Sequence, residues 1–191
     1  MEDIKNLQNP LTREDIDFRV AQVYKAGEQI KASVLAYKDA RVDMKRLDEV
    51  VGPLNWQVRY ERDSKGMLQC GIGVLNTMLD TGQDRWVWKW SNGTASNFEA
   101  EKGEYSDAFK RAGFMWGIGR QLYDFPQISI VLNDKDYKEY NGKLQATGWF
   151  RPNEFVWDIS PDYKTVTARR NYGGKLKEVF NSNPYKKKTD E

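Results

Sequence analysis

Histidine is absent from this chain of 191 residues, and cysteine occurs once, as Cys70. The first absence removes Ser-His-Asp and Cys-His nucleophilic arrangements, a histidine general base and imidazole metal ligands. The second removes an internal disulfide framework and any cysteine-cluster zinc site. It fits a reducing cytoplasm, with Cys70 expected as a buried strand residue. No apolar run approaches the roughly 20 residues of a helical membrane span, so no membrane association is expected. A large charge of one sign is also missing: 30 basic against 28 acidic side chains leave +2, so any nucleic-acid site must be local. No G-x-x-x-x-G-K-[ST] run occurs, which leaves a P-loop motor unsupported.

What is present reads as one globular domain over residues 1–180 with a flexible basic tail, 181–191, around Lys186, Lys187 and Lys188. Thr12 can cap a helix with Glu14 and Asp15 in its first turn and Ile16, Val20, Val23 and Tyr24 at helical spacing, stopped by Gly27. Ala32 to Ala40 reads as a strand or extended segment. Met44, Leu47, Val50 and Val51 predict a second short helix ended by Gly52-Pro53. From Trp56 the period becomes two. Strands separated by the turns Asp63-Ser64-Lys65-Gly66 and Asp80-Thr81-Gly82-Gln83 predict a three-stranded meander whose last strand puts Trp86, Trp88 and Trp90 on one face. A long helix follows, from about Phe98 to Tyr123, with Tyr105, Ala108, Phe109, Ala112, Met115 and Trp116 as its packed stripe. Short strands are expected at Ile128 to Leu132, Trp149 to Trp157 and Thr165 to Arg169. The fold class is therefore α+β: an antiparallel meander packed by a long helix, a β-β-β-α core, with additional short C-terminal strands.

On the long helix, turning the apolar stripe inward leaves Lys110 roughly opposite it and Arg111 on its flank. Such a pair can neutralise phosphates, Arg bidentately and Lys as a mobile point charge, or can be an ordinary solvated face. Gly103, Gly113, Gly117 and Gly119 each cost about 1 kcal/mol in a helix relative to Ala, which calls for close approach of another group or a helix break near 117–119. Trp56, Tyr60, Trp86, Trp88 and Trp90 have ring faces able to stack bases. Their spacing suits a sheet face covered by helices, and most are expected in the core. Asp43-Met44-Lys45 and the cluster Glu99, Glu101 and Glu104 are the best candidates for a metal-dependent nuclease. Glu101 and Glu104 lie one turn apart, as on a solvated helix face, so no catalytic residue, metal ligand or cofactor is assigned.

Two segments carry a resemblance. The first is Ala36-Tyr37-Lys38-Asp39-Ala40-Arg41 followed by Leu47-Asp48-Glu49-Val50-Val51-Gly52-Pro53-Leu54-Asn55-Trp56. The second is Lys102-Gly103-Glu104-Tyr105-Ser106-Asp107-Ala108-Phe109-Lys110-Arg111-Ala112, running into Gly117-Ile118-Gly119-Arg120-Gln121-Leu122-Tyr123. In sequence and order they resemble the Rad52 superfamily, including its bacterial and phage members of the Sak type, over about Leu11 to Tyr123. The resemblance implies an ATP-independent protein of recombination and repair, not an enzyme, that binds single-stranded DNA and anneals complementary strands as a homo-oligomeric ring. It implies the cytoplasm of a bacterial or phage-infected cell, with a single-strand-binding protein or an exonuclease as candidate partners. It assigns Lys110 and Arg111 to the DNA backbone, with Lys102 as a weaker carry-over. Arg41 and Arg120 belong to the motifs as further DNA contacts or as structural ion-pair partners. Eukaryotic members carry another Arg where Phe114 stands here. Two alternatives stay open: a single-strand binding module that does not anneal, and a metal-dependent nuclease.

Overall fold

Residues 16–24, whose apolar spacing predicts a helix, form a strand instead. β1 (Asp17–Ala26) pairs antiparallel with β2 (Gln29–Tyr37), and the register shifts between Val20 and Gln22. That bulge explains the misleading pattern. Phe18 and Val20 face Ala36 and Val34, and the extra residue Ala21 makes Val23 rather than Gln22 the next to face inward, opposite Ala32. A spacing of two thereby becomes one of three, which imitates a helix. Thr12 precedes only a short 3-10 turn, Arg13–Asp15, and there its backbone N–H and hydroxyl donate to the Asp15 carboxylate, each at 3.0 Å, so the acid caps Thr12 rather than the reverse. Gly27, at φ 61°, serves the β1–β2 turn.

The computed structural model describes residues 4–77, 84–93 and 100–183. The chain divides into two compact units, Met1–Asp15 with Lys38–Arg120, and Ile16–Tyr37 with Gln121–Glu191. The second unit holds the sheet β1-β2-β6, where β6 is Ile128–Val131, a hairpin of β7 (Tyr137–Tyr140) and β8 (Lys143–Ala146), and the sheet β11-β10-β9. Here β9 is Val156–Ile159, β10 is Val166–Tyr172 and β11 is Lys175–Asn181. Residues 149–155, expected as strand, are mostly turn and a short 3-10 segment. Phe18 stacks on Trp157 with ring centroids 3.7 Å apart. Arg170 grips the buried Asp136 with two nitrogens, at 2.7 and 2.8 Å. Burial pushes the Asp136 carboxyl up, but the hydrogen bonds from Arg170 and Asn133 outweigh it and hold the group below its ordinary value.

The first unit contains the predicted core. α1 (Ala40–Val51) starts at Asp39, whose carboxylate accepts from the Arg41 N–H at 2.8 Å, and stops at Gly52, φ 88°. Asp43 and Leu47 are the buried positions of α1, while Met44 is exposed, so its inward stripe differs from the expected one by a turn edge. β3 (Trp56–Arg62), β4 (Leu68–Thr77) and β5 (Asp84–Asn92) form the antiparallel meander in the order β3-β4-β5. Asp63 closes the first turn by accepting from the N–H groups of Lys65 and Met67. The second predicted turn, Asp80 to Gln83, lies outside the described residues, as do Phe98, Glu99 and the basic tail from residue 184.

α2 (Ala100–Met115) packs on one face of the meander. Ala108, Phe109, Ala112 and Trp116 meet Leu68, Cys70, Ile72 and Val74 of β4 in the buried core. Cys70 is buried as expected, and burial pushes its thiol up to about 12. Tyr105 and Met115, placed in the stripe by helical spacing, are exposed. The helix stops before the expected Tyr123, because Gly117 and Gly119 adopt φ 95° and 72° and turn the chain. Trp56 lies on this inner face near Phe109. Trp86, Trp88 and Trp90 do not. Their register partners Leu75, Gly73 and Gly71 alternate with the buried β4 residues, so the three indoles occupy the sheet face away from α2. The expectation that helices cover them fails, since α2 takes the opposite face.

Candidate nucleic-acid interface

The small residues of α2 set up its outer face. With Ala108 and Ala112 on the sheet side and Gly113 beside α1, the helix lies close to its supports and turns Lys110 and Arg111 away from the core. Lys110 is half-buried. Arg111 is 43 % exposed and its Nε donates to the carboxylate of Asp107, one turn back, at 2.8 Å. A partly exposed i,i+4 helical pair of this kind is worth on the order of 0.5 kcal/mol, little enough for a phosphate to displace the carboxylate.

Beneath Lys110 lies a buried ion pair that sequence reasoning did not assign. Lys38 and Asp43 are 1 % and 0 % exposed and are bonded to each other. The Lys38 ammonium also reaches the Lys110 carbonyl at 3.5 Å and lies 4.4 Å from the centroid of the Phe114 ring. The Asp43 carboxylate occupies the place a Cβ on residue 113 would fill, so this glycine is needed for close approach rather than for backbone freedom. Burial pushes the Asp43 carboxyl up to about 6, against the pull of the Lys38 and Lys110 charges. Burial likewise pushes the Lys38 ammonium down. One Asp43 oxygen, Oδ2, has no hydrogen-bond partner. The available signal was Asp43 itself: it sits one turn before Leu47, on the stripe position where an apolar residue belongs.

The remaining candidates spread around this helix. Lys102 lies in α2, with its side chain outside the described residues. Arg41 is exposed in the first turn of α1. Arg120 is exposed and donates to the carbonyls of Phe114, at 3.0 and 3.3 Å, and Met115, at 3.3 Å. Lys89 donates to the Met115 carbonyl as well, at 3.0 Å, so two cations meet the C-terminal end of α2, where the helix dipole favours them. Of the acidic cluster, Glu104 pairs with Arg62 at 3.3 Å. Among the described residues, no group of three or more Cys, Asp or Glu side chains is placed to hold a metal ion, and no helix is long and apolar enough to cross a membrane.

A family model described as Rad52/22 family double-strand break repair protein matches residues 3–141. The chain belongs to this family. The match takes in α1, the meander and α2 and stops before β9–β11. Among similar proteins, the single-stranded DNA-binding protein DdrA of Deinococcus radiodurans is 32 % identical over 123 residues, covering 64 % of this chain and 55 % of that protein. DdrA of Deinococcus deserti is 29 % identical over 149 residues, covering 78 % and 70 %. The chain thus spans little more than half of the first of these relatives.

Proposed function

We propose that this member of the Rad52/22 family binds single-stranded DNA along the outer side of α2 and anneals complementary strands without nucleotide hydrolysis, as a homo-oligomeric ring. The observation that carries the reading is the Lys110–Arg111 pair on a helix of the matched region, turned away from the core and seated on a buried ion pair. Arg111 offers a bidentate donor and Lys110 a point charge, which suits a phosphate backbone and reads no base. Base pairing supplies the specificity, and the protein supplies charge neutralisation and positioning. The Deinococcus relatives, single-stranded DNA-binding proteins by name, favour a second reading, in which the chain binds and protects a strand without annealing it.

Titration with an oligothymidine at several salt concentrations tests the site. Lys110→Ala/Arg111→Ala should lose most of its affinity. Its log affinity should fall less steeply with log salt, by about 0.7 per phosphate contact removed. Circular dichroism and a sizing column should report unchanged fold and assembly. A folded, assembled double mutant with normal affinity and slope rejects the assignment of α2. Annealing of complementary oligonucleotides, followed on the wild type without ATP, separates annealing from binding alone.

A further inference from the structure

The outer face of the meander is built in an unusual way. β4 places Gly71 and Gly73 opposite Trp90 and Trp88 of β5. A Cβ on Gly71 would meet the ring atoms Cε2, Cδ2 and Cζ2 of Trp90 at 2.6–2.7 Å, and one on Gly73 would meet the same atoms of Trp88 at 2.8–2.9 Å. Nearly equal distances to three adjacent ring atoms mean that each indole lies flat on the glycine backbone. Ring centroids of Trp86, Trp88 and Trp90 follow one another at 6.4 and 5.9 Å, with planes 37° and 27° apart. Trp86 is 36 % exposed. From β3, the guanidinium of Arg59 lies over the Trp88 ring, 4.5 Å from its centroid, and has no acidic partner among the described residues. The face is thus a row of tiled indoles with an uncommitted cation at its middle, and Gln57 and Glu61 alongside on β3.

We propose that this face is a second single-strand contact surface, on which bases stack against Trp86 and Trp90 while Arg59 takes a phosphate. Two features favour a nucleic acid over a second copy of the chain. Sheets that pack face to face interdigitate their side chains, and rings laid flat over glycines remove the relief that such packing needs. Flat π-faces beside a guanidinium are what an extended strand requires, because every base has a face to stack and every link has a phosphate. The inference rests on the single-strand reading above and goes beyond it, since α2 lies on the other face of the same sheet. One chain then holds single strands on both sides of its meander.

Photocrosslinking with an oligothymidine carrying 5-iodouracil tests it, with peptides mapped by mass spectrometry on the full chain. Crosslinks should fall in the peptide Trp86–Lys89 and at Trp90. At saturating DNA they should persist in Lys110→Ala/Arg111→Ala. Trp86→Leu/Trp90→Leu keeps apolar cover over Gly71 but has no π-face, and should weaken binding about thirty-fold or more. Trp86→Phe/Trp90→Phe should recover most of that loss. Arg59→Ala should reduce the salt slope by about 0.7. A wild type that depends on Lys110 and Arg111, yet shows no crosslinks on β5 and tolerates the Leu pair, overturns this inference alone. Crosslinks on β5 with a normally binding Lys110→Ala/Arg111→Ala overturn the α2 reading alone. A Leu pair that changes the sedimenting size but not the affinity makes the face an interface between copies, and overturns the inference too.

Discussion

Lys38→Met probes the buried pair beneath Lys110. Methionine keeps the length of the side chain and deletes the ammonium, so Asp43, fully buried, is left with the more distant Lys110 charge and an Oδ2 that had no partner to begin with. Breaking a buried pair from one side commonly costs about 3–5 kcal/mol. Here the loss has a ceiling, because Asp43 can escape by taking a proton. With its folded value at about 6, protonation at pH 7 is uphill by about one pH unit, which is about 1 kcal/mol. At pH 8 the ceiling rises to about 3 kcal/mol, and at pH 6 or below it nearly vanishes. The direction follows from linkage. A carboxyl whose folded value is raised above its ordinary 3.8 contributes stability that is fully present below that value and is lost as pH rises through about 6. In Lys38→Met the folded value rises further, so the loss continues to higher pH. Urea unfolding of both proteins at pH 5.5, 7 and 8 reads the difference directly. A loss that is the same at all three values, or that grows on acidification, refutes the account of the pair.

Gly113→Ala should destabilise the fold even though Ala gains about 1 kcal/mol of helix propensity. Its Cβ displaces the Asp43 carboxylate, and overpacking of this kind costs about 1–3 kcal/mol, visible as a lower thermal midpoint. Asp107→Ala removes the acidic partner of Arg111 and should tighten oligothymidine binding at low salt by a few-fold, with the gain disappearing as salt screens it; unchanged affinity would mean that Arg111 makes no phosphate contact. Arg120→Ala removes three hydrogen bonds from exposed carbonyls at the end of α2 and should cost about 1 kcal/mol in urea unfolding. Its affinity for single strands should fall far less than that of Lys110→Ala/Arg111→Ala.

Local rules carried much of the fold. Asp39 and Gly52 bracket α1, the Asp63 turn separates β3 from β4, and period-two alternation runs through the meander. The failures have equally local causes. A bulge at Ala21 converts the alternation of β1 into a helix-like spacing, and Gly117 ends α2 where the apolar pattern continues. The tryptophans of β5 show a different limit: alternation says which residues share a face but not which face is covered. That information sat on β4, where Leu68, Cys70, Ile72 and Val74 offer a full apolar face and Gly71 and Gly73 offer none. The helical wheel placed Lys110 and Arg111 away from the apolar stripe, while their assignment to a DNA backbone came only with the resemblance. Lys38 and Asp43 were not legible, because charge in a sequence reads as surface until a structure pairs it.

A polyanion-binding role for a chain of net charge +2 requires a local group of cations, and several acids near α2 in the first unit are held by partners of their own. Asp43 is consumed by Lys38 below α2, Glu104 by Arg62, and Asp48 accepts from the Trp56 indole. Of the acidic side chains described on α2, Asp107 stands with Arg111, and Glu104 lies two turns away from it toward the N-terminus. Lys110 is half-buried above this pair, and its charge is felt by both Asp43 and Lys38. The buried pair has a structural use that an apolar substitute would lack. Lys38 holds the Lys110 carbonyl while Asp43 fills the gap left by Gly113, so α2 is fixed at the turn that bears its two cations. Backbone precision at Lys110 is what a phosphate contact needs, and the cost of burying two charges is borne at that point of the helix.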